Sequence, residues 1–358
     1  MKRLLFLFLF SLFFASNVAC QTRSFVKATD SRLAFVGRTL TRTDAVVWSY
    51  PGVQFFAEFE GTSVSLSTKP RCGFFVVEID GGEPFKVESG EQEEIPLSVG
   101  LAPGRHTLHV TYAVEGLLFK PELYGLWLDE GCTLGARPSL PSRRLEFIGN
   151  SITCGYGIED TVGLKKFSYS TQNHYYTYAA LTARALGAQC QVVARSGIGI
   201  YRNCNGNRGG DSNTMQALYP FTLFGTSGVR WDFSRYQPDV VCVNLGTNDT
   251  TSPGYDTNLL AAAYKKFLHT LRGHYPQAKI VLLTGTMLSG TRLSDVKRAQ
   301  QAAVDDARRR GDSEVYRFDF MPGDGSLGYG THKHPSLRRH ARMAEELVPF
   351  LRTITGWQ

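Results

Sequence analysis

Several things are scarce in this 358-residue chain. No two of its seven cysteines form a Cys-x-x-Cys pair, the spacing on which many structural zinc sites are built, so no metal is expected. The longest run of basic residues is Arg308-Arg309-Arg310. It falls at a predicted helix end, where a solvated face accounts for it, and the other basic residues are scattered, so nucleic acid is not an expected partner. Nothing repeats internally and no segment is of low complexity. With 42% hydrophobic and 12% aromatic residues, the composition excludes a disordered chain and suffices for two ordinary cores.

One long apolar run is present, Leu4 to Ala15, preceded by Lys2-Arg3 and followed by Ser16-Asn17-Val18-Ala19-Cys20. It is shorter than the roughly 20 residues a membrane-spanning helix needs, so residues 1–20 read as a secretory signal. Ala19-Cys20 also resembles a bacterial lipoprotein cleavage site, although Asn17 stands where such sites usually carry Leu. A lipid anchor at Cys20 and plain secretion both stay open, and the protein is expected to be exported: periplasmic, an outer-membrane lipoprotein or secreted. Beyond residue 20 the chain keeps 37 basic and 32 acidic residues, a mild charge of +5. Six cysteines remain, with a pairing that spacing does not define. Cys72 and Cys132 are the two within residues 21–135 and the first pair to test as a disulfide.

From about residue 25 to 133 the chain alternates with period two in short runs broken by turn residues, an all-β signature. Val53, Phe55, Ala57 and Phe59 share one face of a strand, and Gln54, Phe56, Glu58 and Glu60 the other. Further strands are expected at Ser63 to Ser67, Phe74 to Ile79, His106 to Tyr112 and Leu123 to Leu128, with Asp80-Gly81-Gly82 as a hairpin turn. So many strands must stack or close to hide their edges, which predicts a jelly-roll sandwich over residues 21–135. Pro138 and Pro141 mark residues 136–144 as a linker.

Residues 145–358 change rhythm. Strands at Leu145 to Ile148, Gln191 to Ala194, Val240 to Asn244, Lys279 to Thr284 and Val315 to Phe318 alternate with helices at Tyr175 to Leu186, Asn258 to His274, Leu293 to Arg310 and Ser336 to Leu351. That pattern predicts crossover connections and a parallel sheet.

Ligands of an open parallel sheet bind beyond the carboxyl ends of its strands, and three such positions carry chemistry. Ser151, after the first strand, is either a nucleophile or a helix cap. Asn248, after the third, can donate its amide to an oxyanion, with Gly197 after the second adding a backbone N–H; the alternative for Gly246 to Asp249 is a plain turn. His334, before the last helix, is a base for the serine or a satisfied loop histidine. Nucleophile, two donors and a base on one sheet edge make coincidence a poor explanation.

With Ser151, Gly197, Asn248 and His334 in that order, residues 142–358 resemble the GDSL, or SGNH, hydrolases. More narrowly, the stretch from Phe147 to Gly157, with Ser196 to Asn203 and His334-Pro335-Ser336, is similar to carbohydrate esterase family 2. The resemblance implies a jelly roll joined to a three-layer α/β SGNH domain that removes acetyl groups from xylan or glucomannan through an acyl-enzyme. It implies Ser151 as nucleophile, His334 as base, and an oxyanion hole from Ser151, Gly197 and Asn248. No cofactor is implied, and a monomer acting on an acetylated polysaccharide or oligosaccharide is expected. Two departures stand out. Position 150 is Asn where the wider family has Asp, and the positions where many relatives carry an Asp to orient the base hold Thr331 and His332. A backbone carbonyl, or a side chain such as Asp324 or His332, then orients His334, or the site is a Ser-His dyad. Tyr201, Arg202, Asn203 and Trp231 are candidates to line a sugar site, with a core place equally open to Trp231. The competing expectations are an inactive glycan-binding surface protein and an esterase for another acylated substrate.

Overall fold

The computed structural model describes residues 22–162, 166–225, 228–284 and 286–358. The signal segment and Cys20 lie outside the described residues. Two antiparallel sheets form the first half. One holds β1 (Ser24–Lys27), β3 (Leu40–Thr41), β4 (Val46–Val47), β6 (Val64–Thr68), β9 (Glu94–Ser98) and β11 (Glu122–Leu128). The other holds β2 (Ala34–Val36), β5 (Gln54–Gly61), β7 (Gly73–Ile79), β8 (Phe85–Ser89) and β10 (Gly104–Tyr112). Phe55, Ala57 and Phe59 of β5 face Val64, Leu66 and Leu126 of the opposite sheet in one core, while Glu60 stays exposed, as the alternation predicts. The short strands β1 to β4 were not expected, because two to four residues carry too little alternation to register.

Cys72 and Cys132 are not bonded to each other; both are free thiols. Cys72 lies at the end of β10 where its carbonyl accepts from the Tyr112 hydroxyl at 2.9 Å. Cys132 lies beside Gly61, which pairs with Gly104 at the other end of that nine-residue strand. The separation, roughly 25 Å at about 3.3 Å per residue, is far beyond what a disulfide spans.

The second half is a five-stranded parallel sheet in the order β13-β12-β14-β15-β16: β12 (Arg143–Gly149), β13 (Ala188–Ala194), β14 (Val240–Asn244), β15 (Lys279–Thr284) and β16 (Val315–Asp319). The chain goes from β12 to β13 on one side and returns to β14 on the other. The carboxyl end of β12, where Ser151 sits, is therefore the topological switch point at which such sheets bind ligands. Short helices α1 (Ser151–Cys154), α2 (Tyr178–Ala185) and α3 (Met215–Leu218) precede the long α4 (Thr257–His274), α5 (Gly290–Arg309) and α6 (Leu337–Thr355). Several boundaries differ from expectation, two of them near the site. β12 starts inside the expected linker, and the helix expected from Tyr175 is broken at Thr177, which caps α2 through Ala180 N. Ser336 caps α6 as its sequence position suggests.

The halves share a buried interface. Arg38, fully buried, donates to the Tyr219 carbonyl, to Phe221 O at 3.1 Å and to Glu146 at 3.3 Å, and its guanidinium lies 4.5 Å from the Tyr219 ring centre. Tyr50 is packed into the core of the second half.

Candidate active site

Ser151 is the first residue of α1, and the residue that caps this helix is Asn150, whose Oδ1 accepts from Ile152 N at 3.1 Å. An asparagine oxygen does this as well as a carboxylate, so the departure at position 150 keeps its local role. Released from capping, the Ser151 hydroxyl donates to His334 Nε2 at 2.8 Å.

His334 reaches the serine because its loop is docked on the turn that follows α1. Thr331 N donates to Gly157 O at 3.2 Å, and the Thr331 hydroxyl to Asp160 at 2.8 Å. Gly157 (φ +59°) permits this approach: a Cβ there would stand 2.4 Å from Thr331. The loop then winds through His332 (φ +53°) and Lys333 (φ +60°), a left-handed stretch that non-glycine residues adopt at a cost and that recurs at functional sites. It turns the His334 ring so that Nδ1 donates to the Thr331 carbonyl at 3.0 Å. A carbonyl only accepts, so the proton sits on Nδ1 and Nε2 is left as the acceptor facing Ser151. Burial pushes the His334 pKa down to about 4, against the Thr331 hydrogen bond, which raises it, while the neighbouring His332 adds to the fall.

Thus the orienting group is the Thr331 carbonyl, and two expectations are corrected. Asp324 is exposed and its carboxylate is engaged by the N–H and hydroxyl of Ser326 at 2.9 and 2.6 Å. His332 turns its Nδ1 to the Tyr156 hydroxyl at 3.2 Å.

Gly197 occupies the third position of a turn closed by Ile198 N donating to Arg195 O at 3.3 Å. Its φ of +76° is what a type II turn requires there, hence glycine. No partner for its N–H falls among the described residues. Asn248 donates one amide proton to Ile198 O at 2.8 Å, which ties it to this turn and leaves the second free for a ligand. The expected oxyanion donors Gly197 and Asn248 are thus linked through Ile198, the residue after Gly197.

The expected sugar-lining residues fare differently. Trp231 is buried with Val36 and Tyr236 under the Arg38 guanidinium, a core residue. Arg202, also buried, donates to the carbonyls of Asp249 and Ser252 at 3.1 and 2.6 Å. Tyr201 accepts from Asp256 N at 2.9 Å, and Asn203 accepts from Gly199 N at 3.1 Å. These three brace the loops behind Gly197 and Asn248.

Three features escaped sequence reasoning. Asp249 is buried and accepts from the N–H groups of Ile200, Tyr201, Arg202 and Gly246 at 2.8–3.2 Å, clamping the Asn248 turn to the Gly197 loop. Its place directly after Asn248 was the available signal. Tyr156 lies 4.5 Å from the His334 ring and stacks on Phe167 at 3.9 Å, a half-buried aromatic wall beside the dyad, signalled only by its place five residues after the serine. Glu115, from the β-sandwich half, reaches Ser196; nothing local marks it. A cleft of about 430 Å³ lies alongside, bounded by Thr247, Leu288, Arg292, Tyr329, Lys333 and Pro335.

Comparison with known proteins gives a consistent picture. Residues 147–342 match the GDSL-like Lipase/Acylhydrolase family, and residues 35–138 the Carbohydrate esterase 2 N-terminal domain. The chain is 32% identical to an acetylxylan esterase / glucomannan deacetylase of Cellvibrio japonicus, over 93% of this chain and 91% of that one. It is 39% identical, over 87% of its length, to the cellulase/esterase CelE of Acetivibrio thermocellus, of which it spans only 38%. Its fold is similar to that of a family two carbohydrate esterase from Clostridium thermocellum solved in complex with cellohexaose (TM-score 0.84, 36% identity, 91% and 100% of the two chains covered).

Proposed function

Since the chain belongs to carbohydrate esterase family 2, a β-sandwich joined to a GDSL-like hydrolase domain, we propose that it removes O-acetyl groups from a plant-type polysaccharide such as xylan or glucomannan. The observation that carries this reading is the Ser151 hydroxyl donating to His334 Nε2 at 2.8 Å, with the opposite ring nitrogen engaged by a carbonyl. His334 takes the Ser151 proton as Oγ bonds to the acetyl carbonyl carbon. The oxyanion is held by the N–H of Ser151 and Gly197 and the free amide proton of Asn248. The C–O bond to the sugar breaks, and His334 returns the proton to the departing sugar oxygen. Water, deprotonated by the same imidazole, then splits the acetyl-enzyme to acetate and free Ser151. The stacked Tyr156–Phe167 pair supplies an apolar wall beside the dyad against which an acetylated sugar can pack.

The inactive glycan-binder reading drew its support from the missing carboxylate, and the Thr331 carbonyl takes over that role. We further propose export through residues 1–20, which brings the enzyme to polymers that do not cross membranes. Acetate release is the test, with wild type, Ser151→Ala and His334→Ala compared on acetylated xylan, acetylated glucomannan and an aryl acetate. Wild type is expected to deacetylate at least one polysaccharide and both variants to lose about a thousandfold or more in kcat. A wild type active on the aryl acetate alone would redirect the reading to another acyl substrate.

A further inference from the structure

We propose that Glu115, contributed by the β-sandwich half, is a positioning residue for the oxyanion hole, so that this half is a working part of the esterase rather than an accessory. Glu115 lies in the loop after β10 and is 5% exposed. One carboxylate oxygen accepts from Ser196 N at 2.6 Å, and the other from the Ser196 hydroxyl at 2.5 Å and from Gln172 Nε2 at 3.5 Å. Ser196 is the residue before Gly197 and the second of the turn that presents the Gly197 N–H. Gln172 Nε2 also donates, at 3.2 Å, to the carbonyl of Cys154, the last residue of the helix that Ser151 begins. One carboxylate therefore holds the oxyanion turn directly and the nucleophile helix through Gln172. Its own loop is fixed from both sides, with Ala113 O accepting from His174 N at 2.8 Å and Gly116 N donating to Ser49 O at 2.9 Å. Burial raises the carboxyl's pKa, while the Ser196 hydroxyl and N–H favour the anion.

Three donors, the Ser196 N–H and hydroxyl and Gln172 Nε2, converge on the two carboxylate oxygens. Glutamine keeps one acceptor for the Ser196 N–H, and the Ser196 hydroxyl can turn to accept from its amide. Glu115→Gln therefore fits the space yet weakens the charge-assisted bonds that hold the turn and sets an N–H against Gln172 Nε2. An oxyanion donor matters only where charge develops, so misplacing the turn should act on the transition state and not on substrate binding. The proposal rests on the esterase reading above.

The test measures kcat and KM for an aryl acetate, and the inhibition constant of an arylboronic acid, whose serine adduct mimics the tetrahedral oxyanion, on the full chain. Wild type, Glu115→Gln and Ser196→Ala are compared, the last deleting one hydroxyl while keeping Glu115. Glu115→Gln is expected to lose about ten- to hundredfold in kcat, with KM within about twofold and boronate affinity reduced in parallel; Ser196→Ala shows a smaller loss with the same signature. Should Glu115→Gln not fold, Ser196→Ala carries the test alone. An active wild type with both folded variants unchanged, or a kcat loss with boronate affinity intact, overturns this proposal only. A wild type releasing no acetate overturns the esterase reading as well.

Discussion

His334 combines two roles that a carboxylate partner would separate. The Thr331 carbonyl sets its tautomer, but a neutral carbonyl stabilises the imidazolium less than an aspartate would, and burial disfavours that cation further. Burial is the largest cause of its pKa falling to about 4, a fall that the Thr331 hydrogen bond opposes. The direction for activity follows from the base being useful only when neutral. Above about pH 4 Nε2 accepts the Ser151 proton, and as pH falls through that value the ring is protonated and activity is lost. The acid limb of kcat/KM against pH is expected to have its midpoint near 4, well below the ordinary histidine value of about 6.5; a midpoint at or above 6.5 would show that an anion holds this ring. The residue types of the site were legible in the sequence, because serine, glycine, asparagine and histidine each followed a strand end or preceded the last helix. The orienting group was not. A main-chain carbonyl has no letter of its own, and only the left-handed turn through His332 and Lys333 brings Thr331 O under the ring.

Strands and long helices were readable at the scale of elements because periodic burial writes itself into the sequence: β14 and β15 fall where their apolar runs lie, and α4 begins one residue from its expected start. Loops are different, since their order comes from partners distant in sequence. Gly246 to Asp249 looked like a self-contained turn, yet three of the four N–H groups on Asp249 come from residues 200–202, 47–49 positions away. Removing that carboxylate orphans buried donors, each costing about 1–3 kcal/mol. Asp249→Ala is therefore expected to lower the unfolding free energy by at least about 2 kcal/mol, read as a fall in urea midpoint at unchanged slope. Turnover should fall with it, because the Asn248 turn loses its tie to the Gly197 loop. A midpoint equal to wild type would mean that the clamp does not order these loops.

Over the whole molecule, the proline-marked linker separates two segments of sequence without separating two units of structure. Arg38, Tyr50 and Glu115 of the first half all end in the second, among them the buried Arg38–Glu146 pair. Such contacts have no period and no local motif, which is why both fold classes were legible in the sequence while the close contact between the halves was not. The same distance problem applies to the proposed chemistry, which needs a serine and an imidazole 183 residues further on to meet. Covalent labelling with a fluorophosphonate, followed by mass spectrometry of the digested protein, tests that most directly. One adduct is expected, on the peptide containing Ser151, absent from Ser151→Ala and formed far more slowly in His334→Ala. An unlabelled wild type, a different labelled serine, or labelling of Ser151 at full rate without His334 would contradict the dyad.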